Sequence, residues 1–330
     1  MSNPLNSQLK DAFTNSHKVV VLSHIRPDGD SIGAMLGLAF ALEAAGKTVQ
    51  RLNADGVPSV FRHLPGADQI RKKLDGDFDL VVSLDCSDLL RTGGILGETQ
   101  IDINIDHHIT NPHFARINYV DPEAVATSAI LAEHLGDWGL QINQNAAITL
   151  LSGIVSDTIG FRTPNVTPHT LRLAADLMEN GINLSDIYSR ALVRRPVEAA
   201  RYWGRGLTAL KQEGRLVWTA LTLNDRSEVG YPGNDDADLN NVISNLDGID
   251  ISVLFVEQRA SHWKISWRAQ QGIDVAALAQ SFGGGGHPPA AGAEMDGSFE
   301  EVTTKVLPAT RALLEKAIDN ERVKSETRKE

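Results

Sequence analysis

Side chains able to bind a divalent cation recur in this sequence in four short, well-separated segments. His24, Asp28 and Asp30 lie within S-H-I-R-P-D-G-D, Asp85 within L-D-C-S-D, Asp106, His107 and His108 within I-D-H-H, and Asp157 within S-D-T. Taken singly, each has an ordinary explanation. Asp30 or Ser31 can cap a following helix, Asp85 can close a turn as Asp88 is read to do, the paired histidines can sit on the surface, and Asp157 can end a helix. Capping leaves His24 and Asp28 unexplained, and it does not explain why ligand-type residues arrive from several segments at once. Pro27 and Gly29 favour a tight turn on which side chains two apart point inward together. His24, Asp28, Asp30, Asp85, His107 and Asp157 amount to four carboxylates and two imidazoles. Such mixed oxygen and nitrogen donors suit Mn2+ or a similar ion better than thiolate-rich zinc, and their number fits two ions.

The surrounding pattern places these residues where strands end. Residues 18–23, 48–53, 79–84 and 101–105 are apolar runs that read as strands. Residues 31–45 read as a helix through Ile32, Leu36, Ala39 and Phe40 with Gly46 to stop it, and 145–155 as a buried helix. This alternation predicts a parallel α/β sheet, whose ligands bind beyond the carboxyl ends of the strands. A long helical stretch, 167–193, runs to Pro196, and the sequence then turns β-rich at 215–223, 252–257 and 263–269. Residues 274–280 read as a short helix, 282–287 as a glycine-rich turn, and the charged tail after Asn320 as frayed. The chain is therefore expected to be α/β, with a parallel-sheet catalytic domain over 1–190, a helical linker over 191–210 and a smaller mixed α/β domain over 211–330.

Composition excludes other classes. The one cysteine, Cys86, allows no intrachain disulfide, and residues 1–18 contain no apolar signal core, which points to a soluble, cytoplasmic protein. No stretch approaches the roughly 20 apolar residues that cross a bilayer, so no membrane partner is expected. A net charge of −11 argues against an electropositive track along long nucleic acid. Short substrates stay compatible, because converging carboxylates bind cations that reverse the local field.

The segments S-H-I-R-P-D-G-D-S-I-G-A, L-D-C-S-D, I-D-H-H, S-D-T-I-G-F and G-G-G-G-H-P-P-A-A-G follow one another between His24 and Gly292. In this the chain resembles the DHH/DHHA1 phosphoesterases, and most of all their stand-alone nanoRNase/pAp phosphatase group. The resemblance implies a two-domain fold with the active site in the cleft between domains, and a homodimer. It also implies cleavage of short oligoribonucleotides to mononucleotides and removal of the 3′-phosphate from 3′-phosphoadenosine 5′-phosphate. By the same resemblance, His24, Asp28 and Asp85 hold one ion and Asp30, Asp85, His107 and Asp157 the other, with Asp85 bridging. Mn2+ is the expected metal, ahead of Mg2+ or another divalent ion. His108 would contact the scissile phosphate as donor or general acid, and Asp106 would orient its neighbours.

In the second domain, Gly283 to Gly286 offer backbone N–H groups unobstructed by a β-carbon, and His287 adds a side-chain donor. Glycine repetition alone reads as a flexible loop. The resemblance marks Gly284, Gly285, Gly286 and His287, followed by Ala290, Ala291 and Gly292, as the substrate-holding segment. It marks Arg268, otherwise an exposed strand arginine, as the contact to the terminal phosphate, although Trp267 stands where an aliphatic residue is expected. Arg190, Arg194, Arg201 and Arg205 recur at helical spacing but read as a solvated face, and Trp203 as core. The expected partner is short RNA or a nucleotide phosphate. The alternatives are a phosphodiesterase for cyclic or linear dinucleotides (pApA, pGpG) and, in another class, a nucleotide-binding regulator. The intact set of candidate ligands argues against the regulator.

Overall fold

Valine- and isoleucine-rich runs bounded by turn residues form the first sheet, since branched side chains pack well on a pleated surface. The computed structural model describes residues 4–327 and divides the chain into two units, Met1–Arg194 and Arg195–Glu330. The first unit contains α1 (Pro4–Asn15), β1 (Lys18–Ser23), α2 (Gly29–Ala44), β2 (Thr48–Leu52), β3 (Leu80–Leu84), β4 (Ile103–Asp106), β5 (Ile117–Val120), α3 (Thr127–His134), α4 (Gln144–Asp157), α5 (Pro168–Met178) and α6 (Leu184–Tyr188). Its strands are all parallel, in the order β2-β1-β3-β4-β5. The chain steps outward from β1 to β2 and then returns across β1 to β3, so the crevice beside β1 and β3 is the point where an open α/β sheet accepts a ligand.

Register fixes what meets there. Ser23 lies opposite Leu84, and Leu84 opposite Ile105. The next residues, His24, Asp85 and Asp106, therefore emerge side by side from three adjacent strands.

Helix α2 is buried on nearly every side, because glycines let α4 approach its backbone. A β-carbon on Gly33 would lie 2.6 Å from the Thr149 carbonyl oxygen, and one on Gly153 would lie 2.1 Å from Ser128 Oγ and 2.9 Å from Asp30 Oδ1. Gly153→Ala is accordingly expected to cost about 1–3 kcal/mol through overpacking. A lowered urea midpoint at constant slope is the readout, and an unchanged midpoint would contradict the close contact.

Two expectations for this unit need correction. Strand β5 was not anticipated, since its four residues, Ile-Asn-Tyr-Val, carry too little period-two pattern to stand out. The stretch 167–193 is not one helix. Gly181 adopts φ 78° and Asn183 caps a new start by accepting from Ser185 and Asp186 N–H, so a stop and a start interrupt an apolar periodicity that runs through both. Residues Ser189–Val193 form a turn of π-helix.

The second unit contains α7 (Val197–Thr208), β6 (Lys211–Glu213), β7 (Leu216–Leu221), α8 (Leu223–Val229), α9 (Leu239–Ile243), β8 (Ile251–Arg259), β9 (His262–Ala269), α10 (Val275–Ser281), β10 (Gly285–His287), β11 (Ala290–Asp296) and α11 (Phe299–Thr327). Its sheet runs β10-β11-β9-β8-β7-β6 and is mixed, with β7 and β8 parallel and the other pairs antiparallel. Rather than serving as part of a separate 191–210 linker, α7 buries Ala199 and Tyr202 in a core with Val217, Leu221, Leu239 and Leu254. Trp203 packs against that core and donates to the Ala237 carbonyl at 2.8 Å.

The residues read as a glycine-rich turn are partly strand. Gly285 to His287 pair with Ala290 to Gly292, while the Gly283 and Gly284 N–H groups donate to the Gln280 and Ala279 carbonyls at the end of α10. Helix α11 continues to Thr327, past the point where fraying was expected. Arg190 pairs with Asp186 in the first unit and Arg205 with Glu228 in the second. Among the described residues, no helix is long and apolar enough to cross a membrane.

Candidate metal centre

Each candidate ligand is held by the element that delivers it. Asp28 caps α2, accepting from Ser31 N–H at 3.0 Å. Asp30 sits in the first turn of the same helix and does a different job: its two oxygens accept from the N–H groups of Thr127 (2.6 Å) and Ser128 (2.9 Å). The N-cap residue of α3 is Ala126, whose side chain cannot cap, so Asp30 satisfies those amides from another helix. Asp85 follows β3 with φ 58°, a left-handed conformation that aspartate tolerates better than most residues. Its Oδ1 accepts from the Thr127 hydroxyl at 3.0 Å. Neither Thr127 nor Ser128 stood out in the sequence, where Thr-Ser before an apolar run signals only a helix start.

The carboxylates and imidazoles converge. His24 Nε2 lies 3.7 Å from Asp28 Oδ2 and 3.3 Å from Asp85 Oδ2. His107 Nε2 lies 3.5 Å from Asp85 Oδ1 and 3.7 Å from Asp157 Oδ2. Three sets each place one ligand atom per residue within 4.8 Å of the others: His24, Asp28 and Asp85; Asp30, His107 and Asp157; and Asp85, His107 and His108. Asp85 is common to two of them. His24 Nδ1 contacts the Ile25 carbonyl at 2.8 Å and His107 Nδ1 the Ala124 carbonyl at 3.3 Å. A carbonyl fixes the hydrogen on Nδ1 and leaves Nε2 of each ring as the ligating atom.

Electrostatics point to a cation. Burial pushes the Asp30 carboxyl up, and the charge of Asp85 adds to this, to about 7. Asp157 is likewise raised, by burial and then by Asp30. Burial lowers the two imidazoles, but Asp28 and Asp85 outweigh it and raise His24 to about 10, while Asp85, Asp157 and Asp30 raise His107 to about 9. Negative groups this close raise one another's proton affinity, and a divalent ion relieves the same repulsion. With oxygen and imidazole donors and no thiolate, the residues present fit a divalent metal.

Asp106 belongs to none of these three sets. Its Oδ1 receives His107 N–H at 2.9 Å and His108 Nδ1 at 2.6 Å, and its Oδ2 receives Asn111 Nδ2 at 2.6 Å. Burial would raise its carboxyl, but the bonds from His108 and Asn111 and the charges of His108 and His107 prevail and hold it below the usual carboxylate range. Asn111 was missed in the sequence, where it reads as a turn residue before Pro112.

In the second unit, Arg268, Ala290 and His287 occupy one cross-strand row across β9, β11 and β10. Residues directly opposite project to the same face, so Arg268 and His287 share a face about 10 Å apart. Trp267 turns to the other face, fully buried, and donates to Thr310 Oγ1 at 3.1 Å. Glycine is required by packing at 284 and 286, where a β-carbon would lie 2.1 Å from the Gly292 carbonyl and 2.6 Å from the Ala290 carbonyl. At 285 a β-carbon would meet no atom within 4 Å.

Residues 18–154 match the model of the DHH family, N-terminal domain, and residues 228–318 that of the DHHA1 domain. Over 305 residues, 91% of either chain, the sequence is 35% identical to the bifunctional oligoribonuclease and PAP phosphatase NrnA of Thermus thermophilus. The chain belongs to the DHH family. Among solved structures, this DHH-family chain is similar to an exopolyphosphatase-related protein from Bacteroides fragilis, with a TM-score of 0.86, 25% identity and 96% of each chain covered. The structure of Thermus thermophilus RecJ in complex with Mn2+ is similar at a TM-score of 0.55 and 14% identity, over 96% of this chain and 54% of that one, which shows the fold alone.

Proposed function

We propose that this protein hydrolyses very short oligoribonucleotides to mononucleotides and removes the 3′-phosphate of 3′-phosphoadenosine 5′-phosphate. The observation that carries the reading is the set of three carboxylate and imidazole clusters, two of which share Asp85, in a chain alignable over nine-tenths of its length with a relative named for those two activities. His24, Asp28 and Asp85 would hold one divalent ion and Asp30, Asp85, His107 and Asp157 a second, Mn2+ first and Mg2+ next. Such ions supply Lewis acidity toward phosphoryl oxygens and water activated near neutral pH.

The chain's own groups do the rest. Asp106 holds the hydrogen of His108 on Nδ1, so that Nε2 faces the phosphate and handles the proton of the leaving oxygen. Arg268 and His287, on one face of the second sheet, hold the phosphate at the substrate's end, and Gly285 leaves the backbone open to it. Burial pulls the Arg268 guanidinium down, while the charges of Asp236 and Asp238 act in the opposite sense. The relative's name as an oligoribonuclease supports short strands as substrates, and dinucleotides are expected to outrank longer ones.

Purified protein with Mn2+ is to be assayed against RNA of two to five nucleotides, cyclic dinucleotides, pApA, pGpG and 3′-phosphoadenosine 5′-phosphate. Fastest mononucleotide release from linear dinucleotides is expected. Faster cleavage of the cyclic forms would move the assignment to a cyclic-dinucleotide phosphodiesterase, and tight binding without release would make the protein a regulator. Arg268→Ala is expected to raise KM for 5′-phosphorylated dinucleotides about 10- to 100-fold while changing kcat little, as for loss of a charge-assisted hydrogen bond worth about 1.5–3 kcal/mol. Equal KM values for wild type and variant would remove Arg268 from substrate binding. The family resemblance further supports a cytoplasmic homodimer, which light scattering of the purified chain would test.

A further inference from the structure

Beneath the candidate metal centre lies a buried polar chain in which Ser83, Asn104 and Asn111 have no part in the proposed reaction. Asn111, 9% exposed, has its amide nitrogen 2.6 Å from Asp106 Oδ2, 2.8 Å from Asn104 Oδ1 and 3.1 Å from the Cys86 carbonyl. Asn104 donates onward to Ser83 Oγ at 2.8 Å. Ser83, Asn104, Asn111, Asp106 and His108 thus form a continuous line from β3 to the imidazole.

The ordinary role for an asparagine here is to close the turn after the two histidines. Its carbonyl oxygen does that by accepting His113 N–H at 2.8 Å, and its own N–H bonds to the His108 carbonyl at 3.1 Å. Neither contact uses the side-chain nitrogen. That nitrogen instead makes its shortest contact with Asp106, which is fully buried, and occupies the oxygen that His108 does not use. A buried carboxylate with both oxygens engaged cannot rotate without losing bonds that water cannot replace.

We infer that Asn111 is a positioning residue for His108: by holding Asp106 Oδ2 it presents Oδ1 as a fixed acceptor, which sets the tautomer and plane of the His108 ring. The inference rests on the proposed role of His108, and its test has an arm that does not. In a double-mutant cycle on the best dinucleotide, Asn111→Ala should lower kcat about 10- to 100-fold, the range for partners that orient a functional imidazole, with KM within about threefold. In the His108→Ala background the same change should cost less than about twofold, because the group being positioned is gone. Independently, in metal-free protein carrying 15N-histidine, the Nδ1–H proton missing from His108→Ala should be present in wild type and lost or displaced in Asn111→Ala.

Multiplicative losses in the double variant, or an unmoved Nδ1–H signal, would overturn the inference. If wild type cleaves no diester, the hydrolase reading fails, while the magnetic-resonance arm still decides the role of Asn111. Asn111→Ser gives the same readouts should the alanine variant not fold, since its hydroxyl can serve His113 N–H but does not span to Asp106.

Discussion

Asp85→Ala is expected to abolish metal-stimulated hydrolysis, with kcat falling at least about 1,000-fold, since Lewis-acid stabilisation of a phosphoryl transition state is worth several kcal/mol and each 1.4 is tenfold. The residue is 2% exposed and belongs to two of the three candidate clusters. Its Oδ2 faces His24, and its Oδ1 faces His107 and the Thr127 hydroxyl. No neighbouring carboxylate covers both directions. Alanine also fits poorly at φ 58°, so a loss of activity by itself would be ambiguous. Asp85→Asn resolves this, because asparagine accepts the left-handed backbone and the Thr127 hydrogen bond but carries no charge. It should be as inactive as the alanine variant, remain folded by circular dichroism and bind Mn2+ weakly by calorimetry. Full activity in the asparagine variant would remove Asp85 from the centre.

For His108 the expected signature is different. His108→Ala should lower kcat by about 100- to 10,000-fold, the span of general acid–base catalysis by one side chain, with Mn2+ affinity nearly unchanged. His108 Nδ1 is bonded to Asp106 at 2.6 Å, which leaves His24, Asp28, Asp30, Asp85, His107 and Asp157 enough donors without it. Calorimetric Mn2+ titration beside steady-state kinetics separates the two roles. A parallel loss of metal affinity would make His108 a ligand, and an unaffected kcat would exclude it from the chemistry.

Much of this arrangement is written in local sequence, because β1 and β3 are branched apolar runs with turn residues at both ends, and their ends carry the acids. Register is not local. That Ser23, Leu84 and Ile105 share one row depends on how strands far apart in the chain pair, and only the coincidence of acidic strand ends hinted at it. Asp30 was weighed as a cap for its own helix, whereas it caps α3, whose first residues lie 97 and 98 positions away. No short-range pattern encodes such a bond. Asn111 hid for the opposite reason, since a turn accounts for an asparagine before proline so readily that its second function leaves no trace. Backbone strain is equally silent. Ile159, Gly160 and Phe161, just past Asp157, all adopt positive φ (49°, 70° and 65°), a conformation disfavoured by about 1–2 kcal/mol per residue for side chains such as isoleucine. The glycine run misled in its first half, because helix α10 consumes the Gly283 and Gly284 amides that appeared available for phosphate.

The hydrophobic clusters of the two units are built from separate residues, two in the first unit and two around the mixed sheet of the second. Every acid and imidazole assigned to bond breaking lies in the first unit, and Arg268, Gly285 and His287, the groups proposed to hold substrate, lie in the second. Inheritance can act on these halves at different speeds. Under the proposed assignment, drift in the mixed sheet would retune which small nucleotide is accepted while the metal-binding half stays as it is, so a lineage could change its diet without first having to reinvent its chemistry.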